Sequence, residues 1–293
     1  MSVRARASWQ HRAFDRALRL IRFRHRYWAK FDGRFKPKLI PLPASVRRGR
    51  GTGEEIFQGH LLRWLDPKGR DAEGYVVALH GGGYVAEASP GHLGSYAALA
   101  DATGMRVYAP HYPLAPFHSP TEMRDWTRDC VEDIRGRHPD DPLLMTGDSA
   151  GANLVLQLNE TGVRAECILL WSPWLDIAGD NPEILARDGD CALLRGEGMR
   201  EFAALYHGDE DPRDPVLSPL RRDAEDLPPT LVISGERDLL HSDIVKWFSR
   251  RAEQGQPVEL ISTPHVWHDY MLLPTPEARE AIGVSASFLT KAS

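Results

Sequence analysis

Six short apolar runs recur along the chain: YVVALH (75–80), MRVYAP (105–110), PLLMTG (142–147), ECILLW (166–171), TLVISG (230–235) and PVELIS (257–262). Runs this short, apolar on successive positions and rich in Val, Ile and Leu, predict strands covered on both faces. Between them LGSYAALADAT, EMRDWTRDCVEDIRG, AGANLVLQLNE and DIVKWFSRRAEQ place apolar residues at helical spacing. Strand and helix alternating in this way predict βαβ units, hence an α/β fold with a mostly parallel central sheet flanked by helices. The earlier EIFQGHLLRWL alternates more weakly and reads as an antiparallel edge.

Two regions break the rhythm. Residues 174–227 lie between two strands and are too long for a simple connection, so part of them should be helical and form a lid. Residues 1–50 form the other, with fifteen Lys/Arg against two Asp/Glu, although the whole chain has 36 basic and 41 acidic side chains. A basic arm therefore precedes an acidic body. In the arm Phe14, Leu18, Ile21, His25 and Trp28 recur at helical spacing with arginines on the other faces. The leading expectation is a helix packed on the body; contact with anionic lipid is second, and an Arg-rich transit segment third. The division expected is thus an N-terminal arm over 1–50 and a catalytic domain over 51–293 with an insertion at about 174–227.

Composition narrows the class. With 293 residues, 42% hydrophobic and 26% charged, the chain is neither disordered nor fibrous, and no apolar run reaches the roughly 18 residues of a membrane span. Cys130, Cys167 and Cys191 are too few and too scattered for a disulfide framework or a zinc site. A reducing cytoplasm is the compartment expected.

The chemistry concentrates at the ends of the apolar runs. GDSAG (147–151) has the form G-x-S-x-G directly between a strand and a helix, the context in which a sharp turn lifts a serine hydroxyl clear of its own backbone. The competing reading makes Ser149 a helix cap. LHGGGYV (79–85) follows another strand, and its consecutive glycines expose N–H groups able to hold a developing oxyanion together with the N–H of Ala150. A phosphate loop is the weaker reading, since neither phosphate-loop pattern is present. A serine also needs a base and an acid that orients it, in the order nucleophile, acid, histidine. Asp238 sits in the loop after TLVISG, with Glu236 and Asp243 as rivals, and the loop after PVELIS offers His265 and His268.

Together HGGGYV, YPLAP (112–116), GDSAGANL, SPWLD (172–176), DPVLSPL (214–220), LPPTLVISGERDLL (227–240) and HVWHDYMLL (265–273) resemble the hormone-sensitive-lipase-like, bacterial family IV branch of the α/β-hydrolase esterases. The resemblance spans roughly 54–290. It implies an α/β-hydrolase fold with a helical cap built from the N-terminal arm and the insertion. It also implies Ser149 as nucleophile, Asp238 as acid, His268 as base, and an oxyanion hole of Gly82, Gly83 and Ala150. His268 is preferred over His265 because the family's histidine precedes a small or polar residue, an aromatic and an apolar run, here DYMLL. HYPLAPFHSP departs from the family in lacking its usual arginine and glutamate, and DLL replaces Asp-Pro-Leu.

The reading that follows is a serine carboxylesterase acting on small to medium hydrophobic esters through an acyl-enzyme, with no cofactor and no metal. An amidase, peptidase or lactonase with the same triad is the alternative, and a non-catalytic small-molecule receptor is another. Tyr84, Trp174, Phe202, Tyr206 and Trp267, with Trp171, are candidates for a hydrophobic pocket. The expected partner is the ester itself and not nucleic acid; a peripheral membrane contact through the arm and a homodimer are the two further associations considered.

Overall fold

The computed structural model describes residues 6–28, 36–224 and 226–292; the arm's residues 1–5 and 29–35 lie outside them. Among the described residues eight strands run in the order β1-β2-β4-β3-β5-β6-β7-β8. They are β1 (Thr52–Phe57), β2 (His60–Leu65), β3 (Tyr75–Leu79), β4 (Arg106–Pro110), β5 (Leu144–Asp148), β6 (Cys167–Trp171), β7 (Thr230–Gly235) and β8 (Val258–Thr263). All six apolar runs became strands, and they pair parallel from β4 to β8. EIFQGHLLRWL forms most of the β1–β2 hairpin, which joins β4 antiparallel. Its two-residue turn has Gln58 at φ 42° and Gly59 at φ 84°, the positive angles that match hairpin twist.

Ten helices accompany the sheet: α1 (Trp9–Leu20), α2 (Phe23–Trp28), α3 (Ala44–Arg47), α4 (Pro90–Thr103), α5 (Pro120–Arg137), α6 (Ser149–Glu160), α7 (Pro182–Ala186), α8 (Gly196–His207), α9 (His241–Glu253) and α10 (Pro276–Leu289), counted among the described residues. Successive side chains of a strand leave opposite faces, and the core divides accordingly. Val76 and Ala78 of β3 join Leu93, Tyr96, Ala281 and Leu289 of α4 and α10 on one face. Val77 and Leu79 join Met123, Val131, Leu154 and Trp247 of α5, α6 and α9 on the other. Both faces are dry, which is why these strands read as unbroken apolar runs. Among the described residues no helix is long and apolar enough to cross a membrane.

The irregular regions contain helices as expected: α7 and α8 in the insertion, α1 and α2 in the arm. The arm departs from its predicted stripe. Its helix breaks at Ile21–Arg22, where Arg22 takes φ 50°, and the break resets the helical phase. Phe14 and Leu18 are half-buried and Trp28 is buried, but Ile21 and His25 point outward. Ser8 gives its backbone N–H and hydroxyl to the Glu277 carboxylate at 2.5 and 2.8 Å. Arg24 pairs with Asp188, and Trp28 Nε1 donates to the Leu193 carbonyl at 3.0 Å. The arm is thereby tied to α10 at one end and to the insertion at the other.

Candidate active site

Because β3, β5, β7 and β8 are parallel, the loops after them emerge along one edge of the sheet, where open α/β folds gather their functional groups. Ser149 follows β5 directly as the first residue of α6, at φ 51°, a left-handed conformation that costs a residue with a Cβ roughly 1–2 kcal/mol. The flanking glycines make that turn possible. A Cβ on Gly147 would lie 2.5 Å from the Gly151 carbonyl carbon, and one on Gly151 would lie 2.0 Å from the Leu79 carbonyl oxygen. Both contacts are to backbone, which cannot move aside.

The glycine loop after β3 packs on the same turn. A Cβ on Gly81 would meet Asp148 Oδ2 at 2.2 Å, and one on Gly83 would meet the Phe202 ring at 2.2 Å. Gly82 and Gly83 take φ 113° and 62°. Among the described residues the N–H groups of Gly82, Gly83 and Ala150 have no hydrogen-bond acceptor. Asp148 joins the two loops. Its Oδ2 accepts from Gly81 N–H at 3.0 Å and lies 2.9 Å from His92 Nε2. Burial opposes ionisation of Asp148, yet its ion pair and hydrogen bond with His92 hold its carboxyl below the usual range. The sequence motif contains Asp148 but assigns it no role, and nothing in it points to His92. The residue inside G-x-S-x-G carries no periodic signal, and its partner lies on α4.

Asp238 and His268 are brought together. Asp238 is fully buried after β7; its Oδ1 accepts from Leu240 N–H at 3.0 Å and its Oδ2 lies 2.8 Å from His268 Nδ1. The rivals lie elsewhere: Glu236 is exposed, and Asp243, on α9, bonds to Asn181. His265 is exposed and borders a cleft beside Arg12 and Asp15 of the arm. His268 has a second carboxylate neighbour, with Asp269 Oδ2 3.0 Å from its Nε2. Burial alone would depress His268, but Asp238 and Asp269 on its two nitrogens raise it well above the ordinary histidine value. Burial, with Asp148 nearby, raises Asp269 to about 7 against the pull of His268.

Ser149, His268, Asp269, Gly82 and Gly83 open onto one cavity of about 200 Å³. Of the aromatic candidates, Trp174 and Phe202 line it. The others occupy different places. Tyr84 and Tyr206 stack at 3.7 Å with both hydroxyls against Gln157. Trp267 packs on His11 of the arm, and Trp171 donates to Ser285 Oγ on the far side of the sheet. Phe23 and Trp28 from the arm, and Leu193, Leu194 and Met199 from the insertion, supply apolar lining that the sequence reading did not name. Periodicity marks them as apolar; only the tertiary fold says which cavity they reach.

Comparison with known proteins gives the family and the fold. The family described as alpha/beta hydrolase fold matches residues 76–272. An acetyl-hydrolase of Streptomyces hygroscopicus is 31% identical over 285 residues, 91% of this chain and 93% of the relative. An esterase of Acinetobacter venetianus is 32% identical over 226 residues, 73% and 74% of the two chains. Among solved structures, an esterase from the bacterial hormone-sensitive lipase family superposes with a TM-score of 0.79 at 25% identity, over 95% of this chain and 97% of that one. The chain belongs to the α/β-hydrolase-fold family, and within it to the carboxylic ester hydrolases of the hormone-sensitive-lipase-like branch.

Proposed function

We propose that the chain cleaves esters of small to medium hydrophobic acids through an acyl-enzyme on Ser149. The observation that carries this reading is His268, bonded at Nδ1 to buried Asp238 and opening onto the same cavity as the strained serine. Ser149 Oγ attacks the ester carbonyl while His268 Nε2 takes its proton, and Asp238 stabilises the imidazolium. The carbonyl oxygen gains the electron pair and is held by the N–H groups of Gly82, Gly83 and Ala150. The tetrahedral species collapses, the alcohol leaves with the proton from His268, and water repeats the sequence to release the acid. In the conformation described, Nε2 faces Asp269, so the serine competes with that carboxylate for the ring.

The cavity's size and apolar walls favour a short acyl chain. We read the arm and the 174–227 insertion as a cap, because both contribute wall and neither contributes a reacting group. We read the outward face of α1 as a peripheral contact with anionic lipid, since exposed Trp9, Leu20 and Ile21 stand among Arg12, Arg16 and Arg22. Salt-sensitive cosedimentation with phosphatidylserine vesicles is expected, and absence of binding at low salt would remove that reading. The three buried thiols accord with a reducing cytoplasm. For the reaction itself, a fluorophosphonate should modify Ser149, and rates on p-nitrophenyl esters should fall as the acyl chain outgrows the cavity. An active preparation with no adduct on Ser149 would exclude the mechanism.

A further inference from the structure

His80, Glu87 and His111 converge from three places: the root of the glycine loop, the segment before α4, and the residue after β4. One ligand atom from each lies within 4.8 Å of the other two. His80 and His111 are each 1% exposed. Glu87 Oε2 lies 2.7 Å from His111 Nδ1 and 3.8 Å from His80 Nε2. The His80 ring is already oriented as metal-binding imidazoles are. Its Nδ1 lies 2.7 Å from the Gly81 carbonyl oxygen, which takes the N–H, and its face stacks on Tyr112 with ring centroids 4.5 Å apart. A backbone carbonyl holding one nitrogen leaves the other with its lone pair for a metal. That other nitrogen, Nε2, is buried and has no hydrogen-bond partner among the described residues.

We propose that these three residues form a divalent-cation site of the zinc and cobalt class. Two imidazoles and one carboxylate are a donor set such ions take, with metal–ligand distances of about 2.0–2.2 Å and hence ligand–ligand separations of about 3.4 Å in a tetrahedron. The separations of 2.7 and 3.8 Å from Glu87 Oε2 bracket that value. Glu87 also lines the cavity that holds Ser149, so an ion enters by the substrate's route and water completes its coordination. The ion takes no part in breaking the ester bond. It ties His80, and through it the first glycine of the oxyanion loop, to Glu87 and to the end of β4. The sequence reading expected no metal, because a cluster assembled from positions 80, 87 and 111 has no motif spacing.

Titration of the chelator-stripped full-length chain with Co²⁺ tests the proposal without reference to esterase activity. One equivalent should produce the visible d–d bands of a tetrahedral N/O site, and the thermal midpoint should rise with cation concentration. Glu87→Gln and His111→Asn, each checked for folding by circular dichroism, should weaken the binding about tenfold or more. His265→Ala, which alters an exposed histidine outside the cluster, should leave the titration unchanged. Absence of a spectral change in folded wild-type protein would overturn the proposal and leave a Glu87–His111 hydrogen bond as the brace of the loop. So would a titration indifferent to both cluster variants, or one abolished by His265→Ala.

Discussion

Around Ser149 three of the five nearby glycines are set by contact with backbone. A methyl group at Gly147 meets the Gly151 carbonyl carbon, one at Gly151 meets the Leu79 carbonyl, one at Gly82 meets the Ala86 carbonyl at 2.6 Å, and Asp148 is bonded to the glycine loop and to α4. The arm and insertion across the cavity are held differently. The Arg24–Asp188 pair ties the arm to the insertion and Arg237 Nη2 to Asp15 Oδ1 at 3.7 Å ties it to the loop after β7, both through partly exposed side chains, and such pairs contribute about 0–1 kcal/mol each. The firmest attachment is Trp28, buried against Phe202 and Gly198. The contrast teaches where change is tolerated. The proposed reacting groups sit where a single carbon atom is too much, while the walls proposed to choose the acyl chain sit on segments that can be repacked.

The sharpest way to break this comparison is at the reacting groups. Ser149→Ala and His268→Ala should each lower kcat/KM by about 10⁴-fold or more with little change in thermal midpoint, because members of such a set act as a unit. His265→Ala, three residues away but exposed, should retain most activity. Steady-state kinetics beside thermal melts decide it, and the reverse ranking of the two histidines would show that the wrong loop position has been assigned. Next in size, Gly151→Ala should destabilise the fold by roughly 3 kcal/mol and inactivate it, since overpacking here meets backbone. A denaturant midpoint like the wild type's would show that the turn is less constrained than its contacts indicate.

Asp269→Asn tests the second carboxylate on His268. A base must be neutral to act, so kcat/KM should climb with pH through the histidine's raised pKa. Removing the Asp269 charge lowers that pKa and should move the ascending limb about one pH unit toward acid. Asparagine tolerates the φ of 50° at this position. Stability runs the other way. A histidine whose folded value is raised contributes fully below its unfolded value of 6.5, and the contribution is lost as pH rises through the folded value. An unshifted limb would mean that Asp269 leaves the ring before chemistry begins. The smallest effect belongs to the cap. Trp28→Ala should alter KM for hexanoyl esters several-fold while acetyl esters change little, at a stability cost of about 3 kcal/mol. Equal changes for both would show that the arm does not shape the acyl pocket.

How much of this was legible in the sequence follows the same contrast. YVVALH and ECILLW read as strands because both faces of the sheet are covered, and GDSAG read as a turn because small residues are obligatory there. Helix α10 was missed although Thr275 caps it and Pro276 follows at its first position, a start signal that was there to use. The break at Ile21–Arg22 was invisible: no glycine or proline marks it, so the apolar period ran straight through. Tyr84 and Tyr206 were assigned to the pocket because aromatic type does not disclose which neighbour a ring will stack on. The Asp148–His92 link and the three-residue cluster at His80 join residues far apart in the sequence, and no local pattern encodes them.

The left-handed backbone at Ser149 has a thermodynamic side. The fold carries that strain through every folding cycle, whether or not substrate is present, as a standing deficit of roughly 1–2 kcal/mol. Against a native stability of about 5–15 kcal/mol, that is a measurable fraction held back from the folded state. Selection for stability alone would remove it by placing glycine at position 149, and the proposed nucleophile would go with the serine. The working sequence is therefore kept below the stability its own architecture allows, and the packing of α4, α6 and α10 on the sheet is what makes that shortfall tolerable.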